Sequence, residues 1–213
     1  MNQRHTAIIS AISCLLCLGT SAAFGIEIEL LIKDCADCHG TDGASTEPDV
    51  PIIGGLSDFA IEENLFAFRD GARPCRVTRY RSGDMDRPAT DMCQIASAMS
   101  DEEISEIAIF FSQKPFIPAV QNMDGDKIMA GRKIHERLCN KCHTRSGSDP
   151  VDHASILAGQ WAPYLNLAFA DLRAGKRYMP RNMQAKMEKL SNEEVEALVH
   201  FYASSSDAFD RQH

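Results

Sequence analysis

The chain has 213 residues, 44% hydrophobic and 24% charged, which suits one or two packed domains and excludes a chain disordered throughout. Its 22 lysines and arginines against 30 aspartates and glutamates give a formal charge of -8, so no excess of positive charge exists to neutralise phosphates and a general nucleic-acid binder is excluded. Eight cysteines are too few for a disulfide-dense scaffold, and four of them fall in two Cys-x-x-Cys-His units.

In chain order, residues 1–25 read as an export signal: Arg4, an apolar run from Ala7 to Leu18, then the small residues Ser21, Ala22, Ala23 and Gly25. The run is too short for a membrane anchor, and its removal takes Cys14 and Cys17 with it. No later stretch is long or apolar enough to span a bilayer, so the mature chain is expected to be soluble and periplasmic. Helices are then expected from about Glu27 into Cys35-Ala36-Asp37-Cys38-His39 and from Ile61 to Arg69. Ser100, followed three residues later by Glu103, is a capping-box start, and behind it Ile104, Ile107 and Phe111 recur at helical spacing. Residues 113–123 contain Pro115 and Pro118 without a helical pattern and read as a linker. Further helices are expected from Asp126 to Cys139 and from Pro163 to Arg173, and a second capping box opens at Ser191 ahead of Val195, Leu198 and Tyr202. Few runs alternate with period two, so the class is mainly α.

These elements come in two copies. Cys35, Cys38 and His39 recur 104 positions later as Cys139, Cys142 and His143, and the same offset carries Gly55 onto Gly159 and Arg69 onto Arg173. Beyond Gly71 the offset falls to 91: Met92 meets Met183, Ser100 meets Ser191, and Phe110-Phe111 meets Phe201-Tyr202. The first copy is thus longer by 13 residues, placed between Gly71 and Met92. The expected organisation is a signal at 1–25, a first domain at 26–112, the linker at 113–123 and a second domain at 124–213. Each domain is small for a hydrophobic core of its own, so something else is expected to fill its centre.

Two Cys-x-x-Cys-His motifs, in register behind an export signal, match the attachment motif of c-type haem. Thiols one helical turn apart reach the two porphyrin vinyl groups as thioethers, and the adjacent histidine is held beneath the iron. Covalent haem c is therefore expected on Cys35 and Cys38 with His39 as iron ligand, and on Cys139 and Cys142 with His143. A four-cysteine zinc site needs the two copies brought together, and a redox dithiol does not require the histidine. For the sixth ligand the repeat singles out Met92 and Met183, with Met179 as the competitor of Met183. Bis-axial His/Met ligation leaves no open iron position, so electron transfer is the expected activity. The remaining pair, Cys75 and Cys93, is expected to form a disulfide in an oxidising compartment; the competing reading makes Cys93 an iron ligand. Charge divides unevenly: residues 26–120 hold 8 basic and 18 acidic side chains, residues 121–213 hold 13 and 12. Such asymmetry can orient a docking partner. Basic residues also gather near each methionine: Arg73, Arg76, Arg79, Arg81 and Arg87, then Lys176, Arg177, Arg181 and Lys186. They are either a solvated face or contacts to haem propionates or a partner.

With these residues in place the chain resembles the diheme class I cytochromes c, including the c4 type, across the mature sequence. Pro51-Ile52-Ile53-Gly54-Gly55 looks like that family's Pro-x-Leu-x-Gly strip, whose proline carbonyl orients the proximal histidine; Ser155 stands at the matching position of the second copy. The strip from Ile156 to Leu165 and the tail from Phe201 to Ser204 look similar to the cytochrome subunit of flavocytochrome c sulfide dehydrogenase. That resemblance implies two tandem class I cytochrome c domains with two covalent haems, taking electrons from an FAD-containing flavoprotein that oxidises sulfide. A free diheme carrier serving an oxidase or reductase is the alternative. A diheme enzyme, such as a peroxidase or thiosulfate dehydrogenase, wants an open or unusual axial position and is disfavoured by two methionines in register.

Overall fold

Capping side chains at Ser57, Asp91, Ser100, Asp124 and Ser191 each start a helix. In the computed structural model the described residues are 27–204, so the export signal read at 1–25 lies outside them. Residues 27–31 are helical and lead, across a turn at Ile32, into α1 (Lys33–His39), which carries the first Cys-x-x-Cys-His motif. The helix α2 (Asp58–Arg69) begins three residues before the sequence expectation because Ser57 caps it, its hydroxyl accepting from the Ala60 N–H at 3.2 Å. A short α3 (Met92–Ser97) was not legible in the periodicity; its start is set by Asp91, which accepts from the Gln94 N–H at 2.9 Å. The helix α4 (Asp101–Ser112) opens with a reciprocal capping box between Ser100 and Glu103.

The second half repeats the plan. The helix α5 (Gly125–Ile134) is capped by Asp124 and runs into one π-helical turn, His135–Cys139. After it come α6 (Ala162–Arg173), a second helix missed by periodicity, α7 (Arg181–Met187), and α8 (Asn192–Ser204). Ser191 and Glu194 bond each other's backbone N–H at 3.2 and 3.0 Å, the same capping box as at Ser100. Among the described residues no strand forms, only an isolated antiparallel bridge between Thr78 and Thr90. No helix among them is long and apolar enough to cross a membrane.

Each half closes its own core with repeat-related side chains. Ile61, Leu65, Ile104, Ile107 and Phe111 are buried in the first, and Leu165, Phe169, Val195, Leu198 and Tyr202 take the equivalent places in the second. The loops repeat as well. The Gly43 carbonyl accepts from Ile53 and Gly54, and the Gly55 N–H donates to Phe111; in the second half Gly147 accepts from Leu157 and Ala158, and Gly159 donates to Tyr202. Contact between α5 and α8 is close enough that a Cβ at Gly131 would lie 2.1 Å from the Ala197 carbonyl oxygen, so only glycine fits that crossing.

The linker is not a free tether. Its Ala119 N–H donates to the Gly159 carbonyl at 2.8 Å, and Gln121 bridges the carbonyl of Gln160 and the N–H of Ala162. Across the same seam the buried Gln160 amide exchanges two 2.9 Å hydrogen bonds with the backbone of Ile52, and the Trp161 indole donates to the Ser45 carbonyl. Ile156 packs into the core of the first half. The strip from Ile156 to Leu165 thus joins the halves through Ile156, Gln160 and Trp161, while Leu165 enters the second core.

Candidate haem-attachment sites and the seam

The first motif lies on a helix, so Cys35 and Cys38 stand about one turn apart and His39 follows directly. Cys35 and His39 are each 7% exposed. Burial, reinforced by Asp34, pushes the Cys35 thiol up to about 12, and burial raises Cys38 as well. Burial also lowers the His39 pKa, against the opposing effect of its bond to Pro51. That bond is 2.8 Å long; since a carbonyl can only accept, it fixes the proton on Nδ1 and leaves the Nε2 lone pair free for a metal. A neutral imidazole so oriented, beside two thiols on one turn, fits the demands of haem attachment.

The inserted segment folds back over this helix. The disulfide Cys75–Cys93 and the Thr78–Thr90 bridge close it into a flap. Its Arg81 and Ser82 N–H groups donate to the Asp37 carbonyl at 2.9 and 3.0 Å, and Arg87 pairs with Asp34 at 2.6 Å and with Asp37. Lys33 takes the same Asp37 carboxylate at 2.6 Å, and Arg87 lies 3.4 Å from the centroid of the buried Tyr80 ring. Gly83 sits against the Asp37 carboxylate with φ +68°, where a Cβ would be 2.7 Å from Oδ1. On its far side the flap reaches the second half, as Arg76 grips Asp171 with two bonds of 2.8 and 2.7 Å.

In the second motif the π turn ends at Cys139, and residues 140–143 form a looser turn held by the His143 N–H on the Cys139 carbonyl. Cys142 is exposed and His143 partly buried. Burial raises the Cys139 thiol and lowers the His143 imidazole. No hydrogen bond to the His143 ring is found among the described residues. Ser155, at the place of Pro51, offers its hydroxyl to the Asn64 amide at 3.3 Å. His135 is 2% exposed, and its Nδ1 meets the Tyr202 hydroxyl at 3.0 Å. The sequence repeat, which pairs His135 with Leu31, gave no hint of that bond.

Met92 opens α3 and packs on the first core; Met179 and Met183 both pack on the second. Around the seam, Asn64, Arg73, Tyr164 and Arg177 form one polar cluster. Asn64 was invisible to the repeat, because its counterpart is Ala168.

Comparison with known proteins now decides the family. A family model described as "Cytochrome C oxidase, cbb3-type, subunit III" matches residues 126–201. Cytochrome c-554(548) of Halomonas halodenitrificans is 35% identical over 83 residues, 39% of this chain and 87% of that protein. Cytochrome c4 of Stutzerimonas stutzeri is 29% identical over 175 residues, 77% of this chain and 80% of that protein. The chain belongs to the diheme class I cytochromes c and is c4-like. A cytochrome c of this kind carries haem c, and its two Cys-x-x-Cys-His motifs match two haems. The crystal structure of reduced cytochrome c4 from Pseudomonas stutzeri shares this cytochrome's fold, with a TM-score of 0.65 at 24% identity over 88% of this chain and all of that one. A partial likeness is to the cytochrome subunit of sulfide dehydrogenase from Chlorobaculum tepidum, 36% identical over 83 residues, 39% of this chain and 62% of that protein.

Proposed function

We propose that this cytochrome is a periplasmic diheme carrier of single electrons, with haem-bearing domains at 26–112 and 124–213 joined by 113–123. Cys35 and Cys38 would bind the first haem and Cys139 and Cys142 the second. His39 and His143 are the proximal ligands, Met92 and Met183 the distal ones. Bound haem c supplies a one-electron iron couple. The chain's part is to hold each imidazole neutral and aimed, as Pro51 does for His39, and to fill both axial positions so that no substrate enters. The observation that carries the reading is the cytochrome c4 likeness, which runs through both halves of the chain.

That reading reverses the order expected from the sequence, where the sulfide dehydrogenase subunit came first. Its supporting likeness covers 83 residues, and the strip that suggested it is engaged within this chain, at the seam and in the second core. It remains the second reading because of that partial likeness. Purification from the native host at high salt separates the two. The carrier is expected as haem protein alone, meeting its partners through transient, salt-sensitive contacts. A stoichiometric FAD-containing partner that reduces the haems with sulfide would overturn the carrier and establish the subunit.

A further inference from the structure

Of the basic residues near the two methionines, Arg76, Arg81 and Arg87 have carboxylates of their own, while Arg79, Lys176 and Arg181 are exposed and Lys186 lies by the second motif, near Cys139 and His143. Arg76 is paired with Asp171, Arg81 with Asp49 at 2.6 Å, and Arg87 with Asp34 and Asp37. Arg73 and Arg177 differ. Neither is in any ion pair found among the described residues, although both are partly buried at the seam. They converge instead on neutral groups: both contact Asn64 Oδ1, Arg177 at 3.3 Å, and both lie beside the Tyr164 hydroxyl. Asn64 is held for that role by its own NH₂ group, which donates to the Ala60 carbonyl at 2.6 Å and to Ser155 at 3.3 Å.

A guanidinium carries five donors, and one amide oxygen plus one phenol oxygen leaves most of those on two arginines unused. Two like charges gathered away from water are costly unless an anion joins them. Burial pushes the Arg73 guanidinium down, with Arg177 adding to the effect. Burial works to raise the Tyr164 phenol, yet the two arginines hold it below the usual phenol range. The nearby carboxylate, Asp171, is already occupied by Arg76.

We propose that Arg73 and Arg177, with Tyr164, form a carboxylate-binding site at the seam that takes haem propionates. Guanidinium and carboxylate match as paired forks, and among the described residues no carboxylate is paired with either arginine. The inference rests on the reading of the chain as a diheme cytochrome. Arg73 follows α2 in the first half, Arg177 precedes α7 in the second, and Tyr164 stands on α6, so the site belongs to both halves. Positive charge at the propionates favours the reduced iron and raises its potential. A free carboxylate or phosphate ion would use the same chemistry, and the test separates the two.

The test uses the full holoprotein with Arg73→Gln, Arg177→Gln, the double variant and the two Arg→Lys variants. Haem content comes from intact mass, potentials from spectroelectrochemistry, and propionate contacts from the propionate bending bands in resonance Raman spectra. In the double Gln variant both haems stay attached, the bending bands shift, and the reduction equilibrium of at least one haem moves by about tenfold toward the oxidised form. Lysine restores most of the potential but not the bands, because it keeps the charge and loses the fork. Added phosphate at constant ionic strength leaves the wild-type potentials unchanged. Unchanged potentials and bands in the double variant would overturn the proposal, as would a wild-type potential that titrates with phosphate. If the double variant does not fold, Arg177→Gln alone decides by the same bands, since Arg177 lies on an irregular segment between α6 and α7. Wild-type protein without haem at either motif would instead overturn the carrier reading, a different failure from a propionate site that is absent.

Discussion

The two haem-attachment motifs have the same residue types at the same spacing, yet their surroundings differ in enclosure and in what holds the histidine. The first lies on a helix beneath a disulfide-closed flap, with Asp37 held by Lys33 and Arg87 and with His39 bonded to Pro51. The second sits at the end of a π turn, with Cys142 exposed and Ser155 turned toward Asn64 of the other half. A motif therefore specifies the chemistry it can perform, while an insertion and one Pro-to-Ser difference set its enclosure and the aim of its histidine.

The largest effects should come from breaking one motif at a time. Cys35→Ser with Cys38→Ser should leave protein carrying a single haem by intact mass, and Cys139→Ser with Cys142→Ser should do the same from the other side. Zinc in place of haem, or two haems retained in either variant, would contradict the assignment. Next come the distal ligands. Met92→Ala and Met183→Ala should each remove about half of the near-infrared sulfur-to-iron band and lower one potential, through loss of a thioether that raises it. Met179 packs on the same core as Met183, so if Met179→Ala gives that result instead, the repeat register has misassigned the ligand.

Opening the flap tests the enclosure of the first motif. Cys75→Ser with Cys93→Ser frees a loop of sequence separation 18 and should cost about 3 kcal/mol in denaturant unfolding, with hydrogen exchange rising around Tyr80 and Ser82. The second motif should be unaffected. Exchange rising equally around Cys142 would show that the flap holds the whole molecule together.

The smallest effect concerns the flap's tie to the second half. The Arg76 guanidinium holds the Asp171 carboxyl below the usual carboxylate range. A folded-state pKa below the unfolded one stabilises above the unfolded value, about 3.9, and that contribution fades as pH falls through the folded value. Melting measured from pH 5 downward should lose stability faster in the wild type than in Asp171→Asn. Identical slopes would mean that the pair contributes nothing across the seam.

Much of the fold was legible without coordinates. Capping residues and apolar spacing placed the α4 and α8 starts at Ser100 and Ser191, because a cap and a stripe are local properties of the chain. The short helices α3 and α7 escaped, since 6 or 7 residues hold too few turns to display a period. The repeat predicted which side chains would take equivalent places in the two cores, from Ile107 and Leu198 to Phe111 and Tyr202. It was silent about Asn64 and His135, whose own counterparts, Ala168 and Leu31, have apolar side chains that make no such bonds.

By itself, then, the sequence determined the chemistry: two thiol pairs, each followed by a histidine, in a duplicated helical frame. Those choices are covalent or local, so spacing alone records them. Only the tertiary structure decided which arginines are neutralised and which are not, that the inserted segment folds over the first motif, and that Gln160 and Trp161 close the seam. Each of these depends on groups separated by tens of residues or more. The pairing of a charge or a buried amide is settled by what the fold brings within hydrogen-bonding distance, and no periodicity in the chain encodes that.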